Sequence, residues 1–256
     1  MTWTRYVAVG DSFTEGLGDP DPERPGRWRG WADRVAATLA AGAPGGTGLR
    51  YANLAVRGRT FPQIVAEQVD RALELGPDLV SFHGGGNDLL RPSVDIDAMA
   101  RRLEEVVSRF RGAGADVILF TGTDPAGAPV IRLTRGRVAV FNEHVRLIAA
   151  RHGALLVDQW DMRVLRDWRM WAEDRLHMSA EGHRRVSLRV LEALGVPGAG
   201  DWREPLPPLP RPRPAVRLLS DARWAREHLV PWVGRRVRGR SSGDGLTGKR
   251  PELEPI

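Results

Sequence analysis

The sequence predicts an α/β protein: a three-layer α/β/α domain with five parallel strands covered by helices on both faces, followed by a C-terminal helical and extended appendage. Two observations carry that expectation. Short apolar β-like runs alternate with amphipathic segments of helical period from residue 1 to about residue 196. Polar, glycine-bearing loops with reactive side chains follow the runs, and open parallel sheets bind ligands beyond the carboxyl ends of their strands.

Taken in order, Arg5 to Gly10 reads as a buried strand, and Trp31 to Ala41 as a helix with Trp31, Val35 and Leu39 on one face. A strand at Leu49 to Val56, a helix over Phe61 to Leu75 and a strand at Leu79 to His83 follow. Next come a long helix over Ile96 to Gly112, a strand at Asp116 to Thr121 and a helix over Arg135 to His152. A short strand at Leu155 to Asp158 and a helix from Ser179 to Leu194 complete the alternation. Ser179 is a suitable N-cap, with Glu181 in the first turn.

From Gly198 to Pro214 the chain turns proline-rich, a composition that favours extended polyproline-like structure. Val216 to Val233 regains helical period, with Leu218, Leu219, Ala222, Ala225, Leu229 and Trp232 as an apolar stripe expected to pack back on the α/β domain. A sharper option places Trp224, Trp232 and neighbouring arginines beside the active cleft. The polar, glycine-rich stretch from Gly234 onward is expected to be poorly ordered.

At 256 residues, 42% hydrophobic and 27% charged, the chain supports one sizeable core plus an appendage. No run approaches the roughly 18 apolar residues of a membrane span, and the first strand begins too early for a signal peptide, so a cytoplasmic location is expected. The absence of cysteine excludes disulfides, thiolate metal sites and a cysteine nucleophile. Twelve Lys/Arg against seven Asp/Glu from Gly198 to Ile256 account for +5 of the net +6, so the excess charge lies away from the candidate chemistry. All of the cations in that segment but Lys249 are arginine, a compositional bias that argues against a dedicated nucleic-acid surface.

The first apolar run breaks at Gly10-Asp11-Ser12, which lifts a serine out of the sheet at the start of a turn. In isolation that serine is equally a helix cap. Gly85-Gly86-Asn87-Asp88 ends the third run, and an asparagine amide there is a neutral donor suited to a developing oxyanion. The Gly58 and Ser12 backbone N–H groups are the candidate companion donors, although in isolation Gly58 and Asn87 read as plain turn residues. Near the last helix, Asp174-Arg175-Leu176-His177 lets one turn bring a carboxylate to an imidazole, the pairing a serine hydroxyl needs as its base.

Together these segments resemble the SGNH hydrolases, or GDSL esterase/lipase family. The first block reads Gly10-Asp11-Ser12-Phe13, the second centres on Gly58 after Asn53-Leu54-Ala55, the third is Gly85-Gly86-Asn87-Asp88, and the fifth is Asp174 with His177. The resemblance covers about Tyr6 to Leu194, with the blocks in the family's order. It implies a flavodoxin-like sheet, Ser12 as nucleophile, His177 as general base and then acid, and Asp174 as its orienter. It also implies an oxyanion hole of Ser12, Gly58 and Asn87. Asp11 then holds the nucleophile loop.

The expected activity is a metal-independent serine esterase with no cofactor and a small-molecule ester as partner. The same triad would serve an acyltransferase or a thioesterase. A reading from another class is a non-catalytic protein whose arginine-rich tail binds an anionic polymer, which a steep salt dependence of binding would reveal. Oligomeric state is not readable. His83, nearest the rim, is expected as a buried, hydrogen-bonded residue rather than one lining the pocket, and His177 and His183 lack the i, i+4 spacing of a helical metal pair. Gly243 to Lys249 imitates part of a phosphate-binding loop, but Arg250 stands where Ser or Thr is required. Asp19 and Asp21 read as turn residues rather than a glycosidase pair.

Overall fold

Residues within the first strand alternate between two cores. Val7 and Val9 point into a layer with Phe61, Ile64, Leu103, Val107 and Phe110, whereas Tyr6 and Ala8 point into one with Trp31, Val35, Val186 and Val190. Burial on both faces is what a central strand between two helical layers requires. The computed structural model describes residues 3–42, 48–128, 131–208, 214–231, 234 and 241–256. Its elements begin with β1 (Arg5–Val9), α1 (Ser12–Glu15), α2 (Gly30–Gly42) and β2 (Arg50–Asn53). Helix α3 runs through Phe61–Ile64, a π-helical turn Val65–Val69 and Asp70–Glu74, and leads to β3 (Leu79–Phe82). Then follow α4 (Gly86–Leu89), α5 (Ile96–Gly112), β4 (Asp116–Phe120), α6 (Arg135–His152), β5 (Leu155–Val157) and α7 (Ala180–Ala193). The chain closes with α8 (Pro214–Trp224, continued by a π-helical turn Ala225–Leu229) and β6 (Arg250–Pro255).

The sheet order is β5-β4-β3-β1-β2-β6. Strands β1 to β5 are parallel, with Val9 opposite Phe82 and Ala8 opposite Asn53. Chain order runs outward from β1 in both directions, so the loops after β1, β2 and β3 share one rim beside the switch point. Ser179 caps α7 as expected, accepting from Gly182 N at 3.2 Å.

Three expectations about the C-terminal part need correction. The sheet has six strands, not five, because β6 adds antiparallel to β2, with Arg50 opposite Pro255 and Asn53 opposite Arg250. Residues 241–256 are therefore structured despite their polar composition. The strand is recruited by the open hydrogen-bonding edge of β2, not by any apolar pattern of its own. Helix α8 leaves part of its apolar stripe in solvent: Leu218 and Leu219 are 71% and 72% exposed, whereas Ala225 and Leu229 are half-buried. It instead touches the domain through Trp224, whose Nε1 donates to Asp174 O at 2.9 Å, and Asp221, which pairs with Arg175 at 2.7 Å. Trp232 lies outside the described residues.

His183, fully buried on α7, joins the two ends of the domain. Its Nδ1 accepts from Trp31 N at 3.3 Å and its Nε2 donates to Leu17 O at 3.0 Å, which defines a neutral imidazole. Burial lowers its pKa from 6.5 to about 4, against the raising effect of the Leu17 carbonyl. Because the folded value lies below the ordinary one, this contribution is complete above pH 6.5 and is lost as the pH falls toward 4. Urea unfolding at pH 7 and pH 5 is expected to show a loss of about 2 kcal/mol from this group. The difference between the two pH values should shrink by that amount in His183→Gln, and an unchanged difference would contradict the assignment.

Candidate active site

The loop carrying Ser12 is held from three sides. Gln68, in the π-helical turn of α3, clamps the backbone of Gly10: Gly10 N donates to Oε1 at 2.9 Å and Nε2 donates to Gly10 O at 3.0 Å. Asp11 caps α1 by accepting from Phe13 N at 3.1 Å. The amide Nδ2 of Asn53, at the end of β2, donates to Thr14 O at 2.9 Å. Ser12 thus opens a one-turn helix whose position is set by groups other than its own hydroxyl.

The loop after β2 is tied to the same helix. Arg57 N donates to Glu15 Oε2 at 2.7 Å, and the Arg57 guanidinium pairs with the Glu15 carboxylate, which is nearly fully buried. Gly58 follows with φ +74°, a conformation that strains any other residue. Gly85, at φ +101°, does the same for the loop after β3 and starts the turn that carries Asn87. Asn87 Nδ2 donates to Arg59 O at 3.0 Å, and Asp88 Oδ2 accepts from Phe61 N at 2.7 Å. Burial raises the Asp88 carboxyl pKa, which the Phe61 amide opposes. Second and third loops are thereby locked to each other.

Asp174 and His177 meet as their spacing predicts. His177 Nδ1 lies 2.6 Å from Asp174 Oδ2, while Leu176 N and His177 N both donate to Oδ1 at 3.0 Å. Burial pushes this carboxyl up, but the imidazole and the two amides outweigh it and hold the pKa at about 2. Between them, Arg175 adopts φ 55°, the one left-handed non-glycine conformation among the described residues. Such a conformation is strained for a side-chain-bearing residue. The Arg175 side chain is held by Asp221 and by the faces of Trp168 and Trp224, 5.6 and 5.1 Å from the guanidinium carbon.

Ser12, Gly58, Asn87 and His177 line one cleft of about 400 Å³, together with Phe13, Phe120, Trp168 and Trp171. All five residues singled out in the sequence therefore fall in one place, four on the cleft wall and Asp174 directly behind His177. Among the described residues, the Ser12 and Gly58 backbone N–H groups make no hydrogen bond. No hydrogen bond joins Ser12 Oγ to His177 Nε2; such bonds often tighten only with substrate in place. His83 also lines the cleft, its ring 4.6 Å from that of Phe13 and its Nδ1 3.5 Å from Asp11 Oδ1. Among the described residues, no group of three or more His, Asp or Glu side chains is arranged to hold a metal ion.

Sequence reasoning missed several supporting residues: Gln68, Glu15 with Arg57, and the tail residues Ser241, Ser242 and Asp244, which also line the cleft. Gln68 and Glu15 carried one usable signal, a polar residue on an otherwise buried helical face. The tail residues carried none.

The GDSL-like Lipase/Acylhydrolase family matches residues 8–185 of the chain. An uncharacterized protein of Bacillus subtilis, YpmR, is 25% identical over 212 residues, covering 73% of this chain and 80% of that protein. The crystal structure of LAE5, an alpha/beta hydrolase enzyme from the metagenome of Lake Arreo, is 27% identical with a TM-score of 0.64. The match covers 75% of this chain and 95% of LAE5. Axe2, an acetylxylan esterase from Geobacillus stearothermophilus, superposes with a TM-score of 0.61 at 23% identity, covering 78% of this chain and 95% of Axe2. The chain belongs to the GDSL-like lipase/acylhydrolase, or SGNH hydrolase, family, and is a hydrolytic enzyme of the esterase type. No helix among the described residues is long and apolar enough to cross a membrane.

Proposed function

We propose that the protein hydrolyses carboxylic esters of small or medium acyl groups through an acyl intermediate on Ser12. The observation that carries this reading is the Asp174–His177 pair opening onto the cleft that Ser12 lines. With its Nδ1 proton held by an ionised Asp174, His177 presents Nε2 as the base. Ser12 Oγ attacks the ester carbonyl carbon while its proton passes to Nε2. The carbonyl oxygen becomes an oxyanion that accepts from the N–H groups of Ser12 and Gly58 and from the Asn87 amide. Collapse expels the alcohol, which takes the proton from Nε2. Water then attacks the acyl-Ser12 through the same base, releasing the acid and restoring the serine.

Aromatic and apolar walls from Phe13, Phe120, Trp168 and Trp171 suit an acyl chain of modest length. The test is a panel of p-nitrophenyl esters of increasing chain length, run with a chelator present. Hydrolysis of the short and medium esters, undiminished by the chelator, is expected. A competing alcohol added to the same assay separates hydrolysis from acyl transfer, since transfer would yield a new ester in place of free acid. No turnover of any ester, or turnover lost on chelation, would remove the proposal.

A further inference from the structure

The only lysine of the chain, Lys249, is held in a cluster of main-chain oxygens rather than left in solvent. Its side chain is 17% exposed, and Nζ reaches Glu15 O at 2.5 Å, Arg29 O at 2.8 Å, Trp28 O at 3.0 Å and Asp33 Oδ2 at 2.5 Å. Glu15 ends the one-turn helix that begins at Ser12, so this ammonium closes the carboxyl end of the helix carrying the proposed nucleophile. The Glu15 carboxylate meanwhile holds Arg57, the neighbour of Gly58.

On the other side of Gly58 lies the segment leading into Lys249. A Cβ on Gly58 would stand 2.1 Å from Ser241 Oγ, and one on Gly243 would stand 2.0 Å from Arg57 O. These two backbones are in direct contact, with no room for another side chain. Ser241 N donates to Asp244 Oδ2 at 2.9 Å and Gly243 N to Ser241 Oγ at 3.1 Å, so the turn is fixed internally. Past Lys249, β6 anchors the segment to β2. The loop 57–59 is thus pressed between Glu15 and the turn 241–244, and Lys249 ties both jaws together.

We propose that the strap 241–255 is part of the active site's positioning apparatus, with Lys249 as a positioning residue that holds the Gly58 N–H in register with Ser12. This rests on the assignment of Ser12 and Gly58 made above. The strap lies beyond residues 8–185, the part of the chain that the family matches. Lys249 touches no reacting atom. Its effect travels through Glu15 to Arg57 and through the 241–244 turn to Gly58.

Misplacing one oxyanion donor by a fraction of an ångström weakens the transition state more than the ground state. Lys249→Met is therefore expected to lower kcat for p-nitrophenyl acetate about 10–100-fold with KM within about twofold. Inhibition by phenylboronic acid, whose tetrahedral serine adduct presents an oxygen to the same donors, should weaken in parallel. Lys249→Cys places the only thiol in a chain without cysteine, and 2-bromoethylamine then rebuilds a lysine-like side chain. In that alkylation the thiolate displaces bromide, an S–C bond forms as the C–Br bond breaks, and the thiol proton goes to the buffer. Recovery of kcat and of boronate affinity together is expected.

Should Lys249→Met fail to fold, Gly243→Ala decides the matter. It leaves Lys249 in place and drives a methyl onto the Arg57 carbonyl, and the same fall in kcat with folded protein is expected. Unchanged kcat and boronate affinity in whichever variant folds would overturn the inference, as would a loss of activity that only tracks the folded fraction. Failure of the underlying assignment looks different: the wild-type enzyme would not hydrolyse the ester, or phenylboronic acid would not inhibit it.

Discussion

Ser12→Ala is expected to lower kcat for ester hydrolysis by about 10⁴–10⁶-fold while leaving the fold intact. The loop around Ser12 is held by Gln68 on Gly10, by the Asp11 cap and by Asn53 on Thr14, and the Ser12 hydroxyl makes no hydrogen bond among the described residues. Removing Oγ therefore deletes the proposed nucleophile and no support. Circular dichroism and the thermal midpoint should match the wild type, and a fluorophosphonate probe that labels the native enzyme should no longer attach. Residual turnover, if measured, reflects the remaining donors acting on a bound ester with water as nucleophile. Retention of full activity in the purified variant would refute the assignment.

Asp174→Asn is expected to cost about 10⁴-fold in kcat, for a reason visible in the geometry. Leu176 N and His177 N both donate to Oδ1, so an amide at this position keeps its oxygen there and turns its NH₂ toward His177 Nδ1. A nitrogen facing two protons must accept, so Nδ1 gives up its own proton and the ring becomes the Nε2–H tautomer. That tautomer cannot take a proton from Ser12. In the native enzyme the pKa of about 2 keeps Asp174 ionised throughout the working range, so any loss of activity between pH 7 and 4 has its origin in another group. Kinetics of the variant across this range test both statements. A kcat within tenfold of wild type would contradict the first; an acid limb that vanishes altogether in the variant, rather than shifting as the imidazole loses its carboxylate partner, would contradict the second.

Much of the fold was legible because it depends on local period. The helices over Ile96–Gly112 and Arg135–His152 run where the apolar pattern places them, and the structure closes them with the Asp95 cap and with Gly153 in a left-handed conformation. Ser12, Asn87, Asp174 and His177 stood out because each lies in a short motif whose chemistry depends on near neighbours. What escaped were the supporting contacts made to remote main-chain atoms. Gln68 meets Gly10 across 58 positions, and Lys249 meets Glu15 across 234. The rejected phosphate-loop pattern at Gly243 to Lys249 left Lys249 without a role, because the backbone carbonyls that surround it leave no trace in side-chain identity. β6 was unreadable for a similar reason, since its pairing is decided by the vacant side of β2 and not by the composition of Arg250–Pro255. The leucines of α8 misled in the opposite sense: a helical stripe announces amphipathicity, yet the contacts of this helix run through Trp224 and Asp221.

The outermost strand also bears on how copies of the molecule tolerate one another in concentrated solution. A bare β2 would offer a ladder of amides and carbonyls to any passing chain, an open template for intermolecular sheet growth. The strand that occupies it carries Pro251 and Pro255, which lack an N–H, and Glu252 and Glu254, whose like charges oppose stacking of a second copy. With Arg-Pro-Glu-Leu-Glu-Pro as its border, the sheet terminates on this flank in a surface that self-association cannot readily extend.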